Sequence, residues 1–120
     1  MKKILIVDDE PNIVMTLEYT FKKSNFEVFI ARDGQEALDI LKTNFPDVII
    51  LDIMMPMVDG FATLEQIRKD ANLQHTKVMF LSAKNKESDI EKGLALGADA
   101  YMTKPFSIKK VVEKVEELLG

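Results

Sequence analysis

Four runs of four apolar residues, Ile4–Val7, Val28–Ala31, Val48–Leu51 and Val78–Leu81, constrain this chain more than any other feature. Each is rich in branched side chains, polar at both ends and too short for a buried helix. None alternates as a half-solvated strand would, so each reads as a strand buried on both faces. Ala100-Tyr101-Met102 is a weaker fifth candidate. Between the runs the spacing becomes helical. Pro11 stands where a first helical residue often does, and Ile13, Leu17 and Phe21 follow on one face. Asp33 with Glu36 resembles a capping box ahead of Ala37, Leu38 and Leu41. Phe61, Leu64, Ile67 and Arg68 follow Gly60, while Ile90 and Leu94 precede Gly97, which reads as a C-cap. Ser107 reads as the N-cap of a last helix carrying Ile108, Val111, Val112, Val115, Leu118 and Leu119 on one stripe.

Five strands alternating with five helices predict an α/β fold with a five-stranded parallel sheet and helices on both faces. Right-handed crossovers with one reversal of direction favour the flavodoxin-like strand order 2-1-3-4-5. In that order a ligand site lies beyond the carboxyl ends of strands 1 and 3. The 120 residues contain no repeat, low-complexity tract or linker, so residues 1–120 are expected to form a single domain.

Charge and composition narrow the functions. With 20 acidic against 16 basic residues, a net charge of −4 argues against a non-specific binder of nucleic acid or anionic membrane. The absence of cysteine excludes a disulfide scaffold, a thiolate metal site and a cysteine nucleophile. The apolar run after Met1-Lys2-Lys3 ends at Asp8, too soon for a secretory signal, and no run approaches membrane-spanning length. A soluble, cytoplasmic protein is the expectation.

The carboxyl ends of the predicted strands carry the chemistry. The first run stops at Asp8-Asp9, the third at Asp52, the fourth at Ser82, and the fifth strand ends at Thr103-Lys104-Pro105. Three neighbouring carboxylates repel one another unless a cation shares the site. An all-oxygen donor set without imidazole or thiolate suits a hard divalent cation, Mg²⁺ being the usual one. Mg²⁺ completes its shell with water and phosphate oxygens, and Lys104 adds a point charge that could hold a phosphoryl group. Asp52 is then a candidate nucleophile, because a carboxylate can form an acyl phosphate. Each residue also has a plain reading: Asp8-Asp9 as a helix cap, Asp52 as a turn acid, Ser82 as a cap, Lys104-Pro105 as a turn. Their convergence on one sheet edge favours the joint, chemical reading.

At this point the chain resembles the receiver domain of bacterial two-component response regulators, over about Lys3 to Leu119. The resemblance is carried by Ile6-Val7-Asp8-Asp9-Glu10, Leu51-Asp52-Ile53-Met54-Met55-Pro56-Met57-Val58-Asp59-Gly60, Leu81-Ser82-Ala83-Lys84, Gly97-Ala98-Asp99-Ala100-Tyr101 and Lys104-Pro105-Phe106. It implies a phosphoacceptor signalling module, not an enzyme acting on an external metabolite. Asp52 would accept a phosphoryl group from a phosphohistidine of a sensor kinase or phosphotransfer protein. Asp9, Asp52 and the backbone carbonyl of Met54 would hold Mg²⁺, with Asp8 reaching it through water. Lys104 would bind the phosphoryl group, and the Lys104–Pro105 bond would be cis. Ser82 would turn its hydroxyl onto a phosphoryl oxygen and Tyr101 would follow inward. The surface formed by helix 4, strand 5 and helix 5 would then contact an output domain or partner.

The resemblance further implies a C-terminal effector domain beyond Gly120 or a stand-alone receiver, no direct contact with nucleic acid or membrane, and a monomer able to dimerise on phosphorylation. Ala100 and Lys110 stand where acids are common in receivers joined to winged-helix DNA-binding domains, which argues against that style of dimer.

Three other features have local readings. Met54, Met55 and Met57 cluster beside Asp52, as flexible fillers or an adaptable surface. His75 reads as a loop residue, and Lys109-Lys110 as a solvated helix face. Met15 and Tyr19 fall opposite the core face of the first helix. They are either scattered surface residues or a stripe that docks on the helical bundle of the phosphodonor. The competing functions are a phosphorylation-independent binding module, a Mg²⁺-dependent aspartyl phosphatase and a flavodoxin-like cofactor binder. The phosphatase lacks room for a cap over its substrate. In the cofactor binder, Asp8-Asp9-Glu10-Pro11 would repel a phosphate unaccompanied by metal.

Overall fold

The computed structural model describes residues 1–120 throughout. Its elements are β1 (Lys3–Val7), α1 (Pro11–Lys23), β2 (Glu27–Ala31), α2 (Gly34–Ile40), β3 (Val48–Leu51) and α3 (Gly60–Lys69). A short 3₁₀ turn (Ala71–Leu73) precedes β4 (Lys77–Ser82), α4 (Glu87–Ala95), β5 (Ala100–Thr103) and α5 (Ile108–Leu119). All strand pairs are parallel and the order is β2-β1-β3-β4-β5, the flavodoxin-like arrangement that the pattern predicts. No helix is long and apolar enough to cross a membrane.

Alternation along the strands explains why the apolar runs are continuous. Leu5, Val7, Ile49, Leu51, Val78 and Phe80 point to one face, against Ala37 of α2 and Phe61, Leu64 and Ile67 of α3. Ile4, Ile6, Val48, Ile50, Met79 and Leu81 point to the other, against Leu17 and Phe21 of α1 and Val111 and Val115 of α5. Burying a side chain of this size contributes on the order of 2 kcal/mol, so a polar residue inside these three runs would break the layer. In the edge strand β2, by contrast, Val28, Phe29 and Ile30 are only half-buried, unlike the expectation for that run. The runs can become polar only at the strand ends, and register aligns those ends. Val7 lies beside both Ala31 and Leu51, Leu51 beside Phe80, and Ser82 beside Thr103.

The caps are mostly as expected. Asp33 accepts from the Glu36 amide at 2.8 Å and Ser107 from that of Lys110 at 3.4 Å. Gly97 follows α4 at φ +108°, a left-handed conformation that suits glycine. The face of α4 differs from its apolar spacing. Its one buried residue is Gly93, whereas Ile90 is half-buried and Leu94 exposed. A Cβ at Gly93 would lie 3.0 Å from the Phe80 ring and 3.1 Å from Tyr101, so the missing side chain sets how closely α4 sits on the sheet.

Candidate functional site

The carboxyl edge of the sheet gathers the residues that the strand ends single out. Asp8 follows β1, Asp52 follows β3 and Ser82 ends β4. All three are almost wholly buried, and Asp9 is exposed. Lys104 follows β5 and precedes Pro105 across a cis peptide bond. Its ammonium lies 2.9 Å from Asp8 Oδ2, 3.0 Å from Glu10 Oε1 and 3.6 Å from Asp52 Oδ2. Asp52 Oδ1 accepts from the Ile53 amide at 2.8 Å, and Asp8 Oδ1 from the Glu10 amide at 2.9 Å. These bonds orient both carboxylates toward Lys104. Neither Asp8 nor Asp9 caps α1, whose N-cap residue, Glu10, makes no side-chain capping bond.

One ammonium faces three acids here with Asp9 close by, and the imbalance shifts the protonation of Asp52 and Lys104. Burial, reinforced by the Asp8 charge, pushes the Asp52 carboxyl above its ordinary value. Lys104, Ser82 and the Ile53 amide offset this only in part. For Lys104 burial works to lower the ammonium, but hydrogen bonds to Asp8 and Glu10 together with the charges of Asp52 and Asp8 outweigh it, and the net direction is up. The carboxylate oxygens of Asp8, Asp9 and Asp52 lie within 4.8 Å of one another. An all-oxygen cluster with surplus negative charge fits a hard divalent cation such as Mg²⁺.

Away from the acids, a hydrogen-bonded chain leads out of the pocket. Ser82 Oγ, which helps stabilise the Asp52 carboxylate, accepts from the Lys84 amide at 3.3 Å. The Lys84 carbonyl in turn accepts from the Tyr101 hydroxyl at 2.6 Å. Tyr101 is half-buried against Phe80, with ring centroids 5.7 Å apart. Its ring packs in the room that Gly93 leaves under α4. Burial, then the charges of Asp89 and Asp52, raise the Tyr101 phenol above its usual value.

The methionines beside Asp52 divide. Met55 is buried, while Met54 and Met57 are exposed. Met15 and Tyr19 are both about two-thirds exposed, as their spacing predicts, and Tyr19 lines a groove with Ile108 and Val112 of α5. His75, Lys109 and Lys110 are exposed. Sequence reasoning missed the role of Glu10 as a partner of Lys104. The only signal was its place in an acidic run ahead of a proline.

A profile of the family described as "Response regulator receiver domain" matches residues 4–116. The chain belongs to this family. The receiver is 45% identical over 118 residues to the alkaline phosphatase synthesis transcriptional regulatory protein PhoP of Bacillus subtilis, covering 98% of this chain and 48% of PhoP. It thus spans about half the length of that relative. Among solved structures it superposes on the receiver domain of the Francisella response regulator 1452 with a TM-score of 0.91 and 37% identity, covering 99% of this chain and 97% of that one. With the chemotaxis response regulator CheY4 of Vibrio cholerae the TM-score is 0.93 and the identity 30%, with 99% of both chains covered. The receiver is accordingly a signalling module of a two-component response regulator.

Proposed function

We propose that residues 1–120 act as one phosphoacceptor unit in a cytoplasmic phosphorelay, and that Asp52 is the residue phosphorylated. The convergence of Asp8, Asp9, Asp52 and Lys104 at a single sheet edge carries this reading. A carboxylate oxygen of Asp52 attacks the phosphorus of a phosphohistidine on a sensor kinase or phosphotransfer protein. The P–N bond breaks and its electron pair returns to the imidazole, leaving an acyl phosphate on Asp52. Asp8, Asp9, Asp52 and the Met54 carbonyl would hold Mg²⁺, which when bound supplies charge neutralisation for the incoming phosphoryl oxygens.

Lys104 donates to a phosphoryl oxygen, and Ser82 turns its hydroxyl to another. Because Ser82 and Tyr101 both bond to Lys84, a turn of Ser82 disturbs the segment that Tyr101 holds. That is the supported route from Asp52 to the surface of α4, β5 and α5, where an effector domain or partner would read the signal. The phosphoryl group makes bonds in one conformation that it cannot make in the other, so it shifts the balance between them. Met15 and Tyr19 are proposed to meet the helical bundle of the phosphodonor. PhoP is named as a transcriptional regulator, which supports a DNA-binding effector beyond Gly120 as one output.

The test is intact mass after incubation with acetyl phosphate, with and without Mg²⁺, on wild type and Asp52→Ala. A Mg²⁺-dependent, base-labile adduct on wild type alone is expected. An adduct that survives Asp52→Ala, or none on a folded protein that binds Mg²⁺, overturns the reading.

A further inference from the structure

Glu10 stands at the N-cap of α1, a position where a side chain usually accepts from the helix amides, yet its carboxylate makes no such bond. It reaches Lys104 instead, with Oε1 3.0 Å from the ammonium, while Asp8 holds the Glu10 backbone amide at 2.9 Å. The two short contacts of Lys104 differ in kind. Asp8 is buried and fixed, whereas the Glu10 side chain is 57% exposed and can leave for water at little cost. Glu10 also lines a cleft of about 520 Å³ beside the pocket, with Ile13, Ala83, Lys104, Pro105 and Phe106.

We propose that Glu10 competes with the phosphoryl group for Lys104 and thereby sets how tightly and how long the receiver holds it. The proposal rests on Asp52 as phosphoacceptor. An ammonium has three N–H donors, and two are engaged here by Asp8 and Glu10. The third is turned toward Asp52 Oδ2 at 3.6 Å, so a phosphoryl group added there draws the ammonium toward its own oxygens and lengthens the contact held least firmly, that of Glu10. Once displaced, the Glu10 carboxylate still repels the added negative charge. Both effects favour loss of the group by hydrolysis, in which water accepts the phosphoryl group and Asp52 regains its carboxylate.

The test uses the full chain at saturating Mg²⁺ with beryllium fluoride as a phosphoryl mimic, its binding followed by fluorine NMR. Intact mass follows the lifetime of the acetyl phosphate adduct. Glu10→Gln and Glu10→Ala should both bind the mimic about three- to fivefold more tightly than wild type and lengthen the adduct lifetime by a similar factor. The gain should shrink as salt rises, and affinity for Mg²⁺ alone should not increase. Unchanged or weaker binding in both variants overturns the proposal, the weaker case assigning Glu10 to holding Lys104 in place. A gain that merely tracks tighter Mg²⁺ binding overturns it too. Wild type that neither binds the mimic nor forms an Asp52-dependent adduct overturns the phosphoacceptor reading instead.

Discussion

The two ends of the sheet each carry a charged cluster, and they are built on opposite principles. At the amino-terminal edge Arg68 of α3 donates to the Gly97 carbonyl at 3.0 Å, the Thr76 carbonyl at 2.9 Å and Asp99 Oδ2 at 3.0 Å. Asp99 Oδ2 also accepts from the Val78 amide at 2.8 Å. One cation meets one carboxylate, and two neutral carbonyls take further donors. At the carboxyl edge a single ammonium is shared by Asp8, Glu10 and the more distant Asp52, with Asp9 close by. The first cluster is satisfied within the chain and ties α3 to the start of β4 and the α4–β5 turn. The second is left with surplus negative charge, which a bound cation would offset. Balance marks a clasp, and imbalance marks a binding site.

The largest expected effect is at the clasp. Arg68→Ala should cost about 2 kcal/mol in denaturant unfolding, because two carbonyls and a carboxylate lose the guanidinium together, and Mg²⁺ should restore none of it. Lys104→Met should cost about 1–2 kcal/mol in the presence of a chelator, since Asp8 and Asp52 lose their shared cation, and millimolar Mg²⁺ should recover much of the loss. Equal responses of the two variants to Mg²⁺ would erase the distinction between the ends. Asp9→Asn removes one repelling charge from an exposed position, and should stabilise the chelated protein by a few tenths of a kcal/mol while abolishing much of the gain from Mg²⁺.

The smallest effect is a titration. With its folded value raised, the Tyr101 phenol adds stability that is fully present below about pH 10 and is lost as pH rises through that higher folded value. In a Tyr19→Phe background, absorbance at alkaline pH should show the remaining tyrosine ionising later in the folded protein than after unfolding.

Much of this was legible in the sequence for a simple reason. A strand buried on both faces leaves polar residues nowhere to go except its ends, so Asp8, Asp52 and Ser82 announce both the strand termini and the site. The α4 face was not legible, because the residue closest to the sheet is Gly93, which carries no hydropathy to read. The clasp of Arg68 was not legible, because its carbonyl and carboxylate partners at Gly97 and Asp99 lie 29 and 31 residues away. Glu10 was hidden by its place at a helix start, where an acid already has an ordinary explanation.

Were Tyr101 to release the Lys84 carbonyl, the bond from Arg68 to the Gly97 carbonyl would make α4 a lever. The helix has nine residues, about 13 Å of axis, and is pinned just beyond its carboxyl end. At its amino end the N-cap residue Lys86 makes no side-chain capping bond. A rod pivoted at one end moves through an arc, so a given rotation would sweep Glu87 farthest and Leu94 and Ala95 least. A partner resting on the first turn would feel an amplified stroke, whereas one gripping Leu94 would sit near the fulcrum and feel almost none.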